Sequence, residues 1–279
     1  MPYILRSPIW PDPRVKPPLG AARIKWGHPL APDPTRLPLL CLFDEGVFRN
    51  LVRPTAMVLG TAPRWAVHTR GRSLRYPGTS SASSVPLDLS GTAKVTIDTI
   101  FSWDRFANND LLAAEFTTNY NGVNAFIIDP NSSAPTSGVF QISMAGLAAY
   151  NGGYISRPSA GIQHIYAFTL DRTTGAAMGV TTMVDGVSQV MTQTNTSSLT
   201  GNFLNDTLYL FGRAGTGLLG IGFLTKFALY TIILSSQLRL QLAAEPYAML
   251  EPIVRRRYFV PAAAAAGESF IPVLRRRRR

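Results

Sequence analysis

The chain has 279 residues, 46% of them hydrophobic and only 15% charged, which provides for a core, excludes wholesale disorder and fits a β protein with an uncharged polar surface. A single cysteine, Cys41, excludes an internal disulfide framework; set in the apolar run 39–43, it reads as a buried small hydrophobe. The net charge of +11 is segregated, with twelve Lys/Arg against four Asp/Glu in residues 1–75, seven against eleven in 76–251 and eight against one in 252–279. Basic ends on an acidic middle point to arms that dock on something acidic, and away from a nucleic-acid groove in the body.

In chain order, residues 1–38 form a proline-rich basic arm. Ten of the 21 prolines fall in 2–38, and a residue without an N–H donor suits neither a helix nor a central strand. Residues 39–250 then read as short strands punctuated by turns. Val95, Ile97, Thr99, Phe101 and Trp103 share one parity, the period of a half-buried strand, and Tyr166, Phe168 and Leu170 repeat it. Asp185-Gly186 between Val180–Val184 and Val187–Met191 predicts a tight hairpin. Leu208–Phe211 and Phe223–Tyr230 add further strands. One short helix is predicted from an N-cap at Ser236, with Leu238 and Leu242 on one face and Pro246 as its stop. Residues 251–279 form a second basic arm with an alanine run and a polyarginine end. The reading is an all-β, antiparallel two-sheet jelly-roll sandwich with extended arms at both ends. Met1–Trp10 lacks a basic start followed by an apolar run, and Leu218–Leu234 is broken by Gly220, Gly222 and Lys226. No membrane partner is expected, and the chain reads as soluble and made in a cytoplasm.

The order of these features resembles a known family. Residues 71–76 (GRSLRY), the Val95–Trp103 strand, Gln163–Asp171, Val184-Asp185-Gly186, Leu208–Gly212, Gly222–Tyr230 and Leu234–Leu242 follow one another as in the laminin-G-like, concanavalin-type jelly roll. Ile24–Ala31, Leu40–Gly46, Ala244–Leu250 and Tyr258–Val260 are similar to the opening and closing segments of members found in tailed-phage virions. The resemblance runs over roughly residues 24–260, with Gln163 and Ile162 where the family carries a Trp before His164. It implies a virion protein without enzymatic activity.

A glycoside hydrolase needs two carboxylates about 5–9.5 Å apart; Glu45, Glu115, Glu245, Glu251 and Glu268 form no cluster, and Asp98 and Asp104 lie about 20 Å apart along an extended strand. His28, His68 and His164 lack metal-ligand spacing. Calcium is bound at the rim by many members of the resembled family, but Asp171 and Asp185 fall short of its six to eight oxygens, so no cofactor is expected. Tyr120, Tyr150 and Tyr154, amid Asn119, Asn121, Asn124 and Asn151, suit sugar stacking; the alternative is an ordinary uncharged loop surface. Arg255, Arg256, Arg257, Arg275, Arg276, Arg277, Arg278 and Arg279 suit bidentate docking on carboxylates. The expected function is therefore structural: a capsid decoration or cement protein whose arms dock on the major capsid protein or other virion subunits, homo-oligomeric on the particle. The alternative is a carbohydrate-binding, receptor-recognising module of a tail fibre or baseplate.

Overall fold

The computed structural model describes residues 12–17, 22–43, 50–53, 57–61, 63–79, 82–104, 112–117, 124–133, 138–146, 149–214 and 217–253, and the backbone alone at 4–5 and 257–258. The strands are β1 (Ile4–Leu5), β2 (Ala22–Ile24), β3 (Leu39–Leu42), β4 (Arg64–His68), β5 (Gly71–Pro77), β6 (Ser83–Asp88), β7 (Lys94–Trp103), β8 (Ala114–Phe116), β9 (Phe126–Ser132) and β10 (Val139–Gly146). They continue as β11 (Ala149–Ser156), β12 (His164–Asp171), β13 (Val180–Val184), β14 (Val187–Ser188), β15 (Thr192–Thr196), β16 (Asn205–Leu210), β17 (Ile221–Tyr230), β18 (Leu250–Pro252) and β19 (Arg257–Tyr258), with helix α1 (Ser236–Ala244) between β17 and β18.

The expected antiparallel sandwich is present. One sheet has seven strands in the order β15-β11-β10-β9-β8-β16-β6; the other runs β14-β13-β12-β7-β17-β5-β4, with β3 also beside β17. The main core lies between the sheets and draws Phe101, Trp103, Tyr166, Phe168 and Phe227 from one, and Phe116, Phe126, Phe140 and Leu208 from the other. Phe101 and Tyr166 stack with ring centroids 4.3 Å apart. Asp185 and Gly186 both have positive φ, 48° and 82°, as the β13–β14 hairpin requires. Cys41 is buried at 1% exposure, and burial pushes its thiol pKa up.

Three features depart from the sequence reading. First, β7 is buried on both faces from Val95 to Trp103, where a half-buried strand was expected. A second core covers the outer face of the eight-stranded sheet: Ile100, Ile165, Ala228 and Tyr230 meet Leu30, Leu37, Leu234, Leu242, Tyr247 and Met249. Second, the N-terminal proline-rich segment does cross a surface, but over 22–38 that surface is the outer face of its own sheet. Leu30, Ala31 and Leu37 are fully buried, Tyr230 donates to the Leu30 carbonyl at 3.0 Å, and β2 pairs with β18. Prolines there preset an extended path without asking for ladder hydrogen bonds. Third, α1 is capped by Ser235, whose hydroxyl accepts from the Leu238 N–H at 3.3 Å; the cap falls one residue before the one expected. No helix among the described residues is long and apolar enough to cross a membrane.

Within the second core lies one ion pair, Lys226–Asp98, both side chains wholly buried. A register shift between Leu224 and Lys226 against β7 places it there. Strict alternation from Leu224 would send Lys226 into the inter-sheet core; the extra residue turns it to the outer face. There Nζ also donates to the Pro246 carbonyl at 2.6 Å, fixing the chain segment that covers the sheet.

Candidate functional site

Strand parity gives the seven-stranded sheet an unusual outer face. Ala114, Phe116, Phe126, Ile128, Phe140, Ile142 and Ile155 belong to the core, so Glu115, Ile127, Asp129, Gln141, Ser143, Tyr150, Gly152 and Tyr154 face outward. Cross-strand registers align Asn195, Gly152, Ser143, Ile127, Glu115, Tyr209 and Ser84 in one row across all seven strands. At about 4.8 Å per strand the row is about 29 Å long. Beside it runs a shorter row, Thr192, Tyr154, Gln141 and Asp129.

These outward positions are polar yet shielded from solvent: Ser143 and Glu115 are fully buried, and Asp129 and Gln141 nearly so. Polar groups so placed need partners. Arg213 Nε donates to both Glu115 carboxylate oxygens at 3.0 Å. The Asn131 N–H donates to Asp129 at 2.9 Å, the Ser132 hydroxyl to Gln141 at 2.6 Å, and Arg157 to the Asn131 side chain. The face thus holds fixed amide, hydroxyl and carboxylate groups in a flat, buried array, with Glu115 balanced by Arg213.

Tyr150 and Tyr154 stand at one end of this array, both half-buried on β11. Four residues apart on a strand, they are separated by about 13 Å. Between them lies Gly152, where a Cβ would come within 2.5 Å of the Ile142 carbonyl oxygen; only glycine lets β10 and β11 pair here. The floor between the rings therefore stays flat.

The structure brings Tyr150 and Tyr154 to one face. Tyr120 lies outside the described residues, as do Arg255, Arg256 and Arg275, Arg276, Arg277, Arg278 and Arg279; Arg257 is described only as backbone, paired with Leu5. Asp171 and Asp185 serve local roles. Asp171 accepts from the Thr173 N–H at 2.8 Å and pairs with Lys94 at 3.0 Å; Asp185 accepts from the Ile165 N–H at 2.9 Å and holds His164. Among the described residues no group of three His, Cys, Asp or Glu is placed to hold a metal. Asp98 and Asp104 are taken up by Lys226 and Arg75. A shallow pocket of about 630 Å³ at the sandwich end, lined by 91–94, Asp171 and 231–233, holds the Lys94–Asp171 pair with Thr92 and Thr231 beside it. Sequence reasoning weighed Glu115 only for a carboxylate cluster and passed over Asp129 and Gln141. Their signal was there in the alternation of Ala114-Glu115-Phe116, which puts a carboxylate on the face opposite two core residues.

The fold places the chain among β-sandwiches. Among solved structures, domain 4 of AbnA, an extracellular GH43 arabinanase from Geobacillus stearothermophilus, in complex with arabinotriose, matches with a TM-score of 0.57 at 14% identity, covering 75% of this chain and 98% of that one. The binding domain of Paraclostridial mosquitocidal protein 1 matches at a TM-score of 0.58 and 13% identity, covering 75% and 52%. The botulinum neurotoxin serotype D ligand-binding domain in complex with N-acetylneuraminic acid matches at 0.57 and 9%, covering 77% and 52%. The chain spans about half the length of these two toxin domains. No protein-family model and no curated protein sequence matches it.

Proposed function

We propose that this chain is a non-catalytic carbohydrate-binding module built on a laminin-G-like jelly roll, and that it holds glycan across the outer face of the seven-stranded sheet. One observation carries the reading: two tyrosines flank a glycine floor at the end of a flat row of buried, mutually satisfied polar groups. Tyrosine rings offer an apolar face to the C–H side of a pyranose or furanose. The exposed Thr192 and half-buried Asn195, opposite Tyr154 and Gly152 on β15, supply placed hydrogen bonds that orient a ligand. The fold shared with an arabinotriose-bound domain supports this reading over capsid decoration. Decoration keeps the segregated charge of the ends in its favour, and arm-dependent binding to assembled capsids lacking the chain would restore it.

The test is a glycan array followed by titration calorimetry on the best hit. Tyr150→Ala and Tyr154→Ala are each expected to weaken binding about tenfold or more, the loss of one stacking contact of about 1.4 kcal/mol. Retention of full affinity in the double variant, with the sandwich intact by circular dichroism, would remove the site from this face.

A further inference from the structure

We infer that the outer face of the eight-stranded sheet, at its β4–β5 edge, is a second ligand surface, one that takes a carboxylate-bearing saccharide such as a uronic-acid polymer. The inference concerns a different face and different residues from the reading above. The second core covers only part of that sheet; beyond it, registers align Arg64, Arg75, Phe223 and Ser102 in one row over β4, β5, β17 and β7. Parity sends all four outward, since Leu74, Phe101, Trp103 and Leu224 next to them point into the main core.

The row carries a charge conflict and a platform. Arg64 and Arg75 are exposed and directly opposite each other, and like charges in that position are destabilising. The hairpin segment 63–77 adds Arg70 and Arg72 and contains no acidic residue. Lys16 lies on the same hairpin, its Nζ donating to the Arg72 carbonyl at 2.6 Å. Among the described residues Asp104 lies 3.4 Å from one Arg75 nitrogen and Asp185 4.0 Å from Arg70, and none of the described ion pairs involves Arg64. An arriving anion between Arg64 and Arg75 relieves their repulsion through charge-assisted hydrogen bonds.

Phe223, next in the row, gives the anion's carrier something to lie on. Its ring is half-buried, with His68 against it at 4.5 Å between centroids and the Arg75 guanidinium carbon 5.7 Å from its centre. The Ser102 hydroxyl at the end of the row is buried and has no hydrogen-bond partner among the described residues. Two guanidinium groups followed by one aromatic ring over about 10 Å fit a carboxylate attached to a ring with an apolar side. That chemistry is a uronic acid's.

The experiment is calorimetry of the full chain with tetragalacturonate, and with its methyl ester as the uncharged control. Wild type is expected to bind the acid at least tenfold more tightly than the ester, with affinity falling as salt rises. Arg64→Gln/Arg75→Gln is expected to lose at least tenfold, and Phe223→Leu several-fold, while Tyr154→Ala binds as wild type does. Thermal unfolding of each variant checks the fold, and Arg64→Lys/Arg75→Lys, which keeps the charge, should retain an intermediate affinity. Equal binding of acid and ester, binding within twofold of wild type by Arg64→Gln/Arg75→Gln, a polyglutamate peptide bound as tightly as the saccharide, or no binding by wild type would each overturn the proposal. Loss on Tyr154→Ala alone would assign the ligand to the other face and overturn it as well.

Discussion

The two sheets of this sandwich wear opposite outer faces. Outward positions on β7, β12 and β17 include Ile100, Ile165, Ala228 and Tyr230, and the chain returns twice to cover them, with residues 22–38 and with α1 and the turn after it. Outward positions on β8, β9 and β10 include Glu115, Asp129, Gln141 and Ser143, a face whose polar groups are satisfied by neighbours such as Arg213 and Ser132. An apolar outer face must be capped, because apolar area left in water forfeits about 25 cal/mol per Å². A polar one is stable once its groups are paired, as these are. The same chain thus uses one sheet to anchor its N-terminal segment and gives the other a face of buried, hydrogen-bonded polar groups.

The sharpest way to break the covered face is at its buried ion pair, Lys226–Asp98. Replacing Lys226 with Met leaves Asp98 alone in an apolar layer, and removing one partner of a buried pair costs about 3–5 kcal/mol. Urea unfolding should show that loss. Lys226→Met/Asp98→Leu should recover most of it, since an apolar replacement of both groups is often neutral. The single variant should also lose less at low pH. Burial pushes the Asp98 carboxyl above its usual range even beside Lys226; without the lysine the rise is larger. A group whose folded pKa is raised favours the folded state below the unfolded value near 4, and that advantage disappears as pH climbs through the folded value. An unchanged midpoint in Lys226→Met would mean that the pair holds nothing in place.

A second variant probes how the two sheets are tied together. Arg172 follows β12 of the eight-stranded sheet, yet its guanidinium donates to the Ala145 carbonyl of β10 in the other sheet at 2.8 Å. It also donates to the Gly201 and Thr200 carbonyls at 3.1 and 3.0 Å. Phe203 lies 5.2 Å beneath it. Burial draws its pKa down to about 10, so it stays charged at neutral pH. Arg172→Met keeps the volume and strands three carbonyls, which should cost about 2–4 kcal/mol. Hydrogen exchange should rise at 199–203 before it rises in β7.

How much of this was legible in the sequence follows from what alternation can report. Period two in Val95–Trp103 and Tyr166–Leu170 gave the strands and their core sides correctly, and Asp185-Gly186 gave its turn. Alternation is blind to what lies on the far side of a strand. Thr96 and Asp98 read as solvent-facing because polar residues usually are, and only the tertiary return of residues 22–38 and 234–250 buries them. The bulge that redirects Lys226 depends on β7 alongside it and leaves no mark in β17. Tyr150 and Tyr154 are named as sugar-contact candidates because tyrosines amid asparagines stand out by composition. Arg64 opposite Arg75 was not found, since a cross-strand pair exists only once register is known.

The smallest effect is expected where neither face is involved, at the sandwich end. Lys94 and Asp171 face each other across β7 and β12 and pair at 3.0 Å, with Lys94 half exposed. Partial burial works to raise the Asp171 pKa, but hydrogen bonds from Thr173 and Lys94 outweigh it and hold the carboxyl below its ordinary value. A depressed carboxylate adds stability above its unfolded pKa and loses it as pH falls through the folded one. Asp171→Asn should therefore cost no more than about 1 kcal/mol at neutral pH and nothing in strong acid. A penalty as large as that for Lys226→Met would place the sandwich end, rather than the covered face, at the centre of stability. The division of labour between the two sheets would then have to be redrawn.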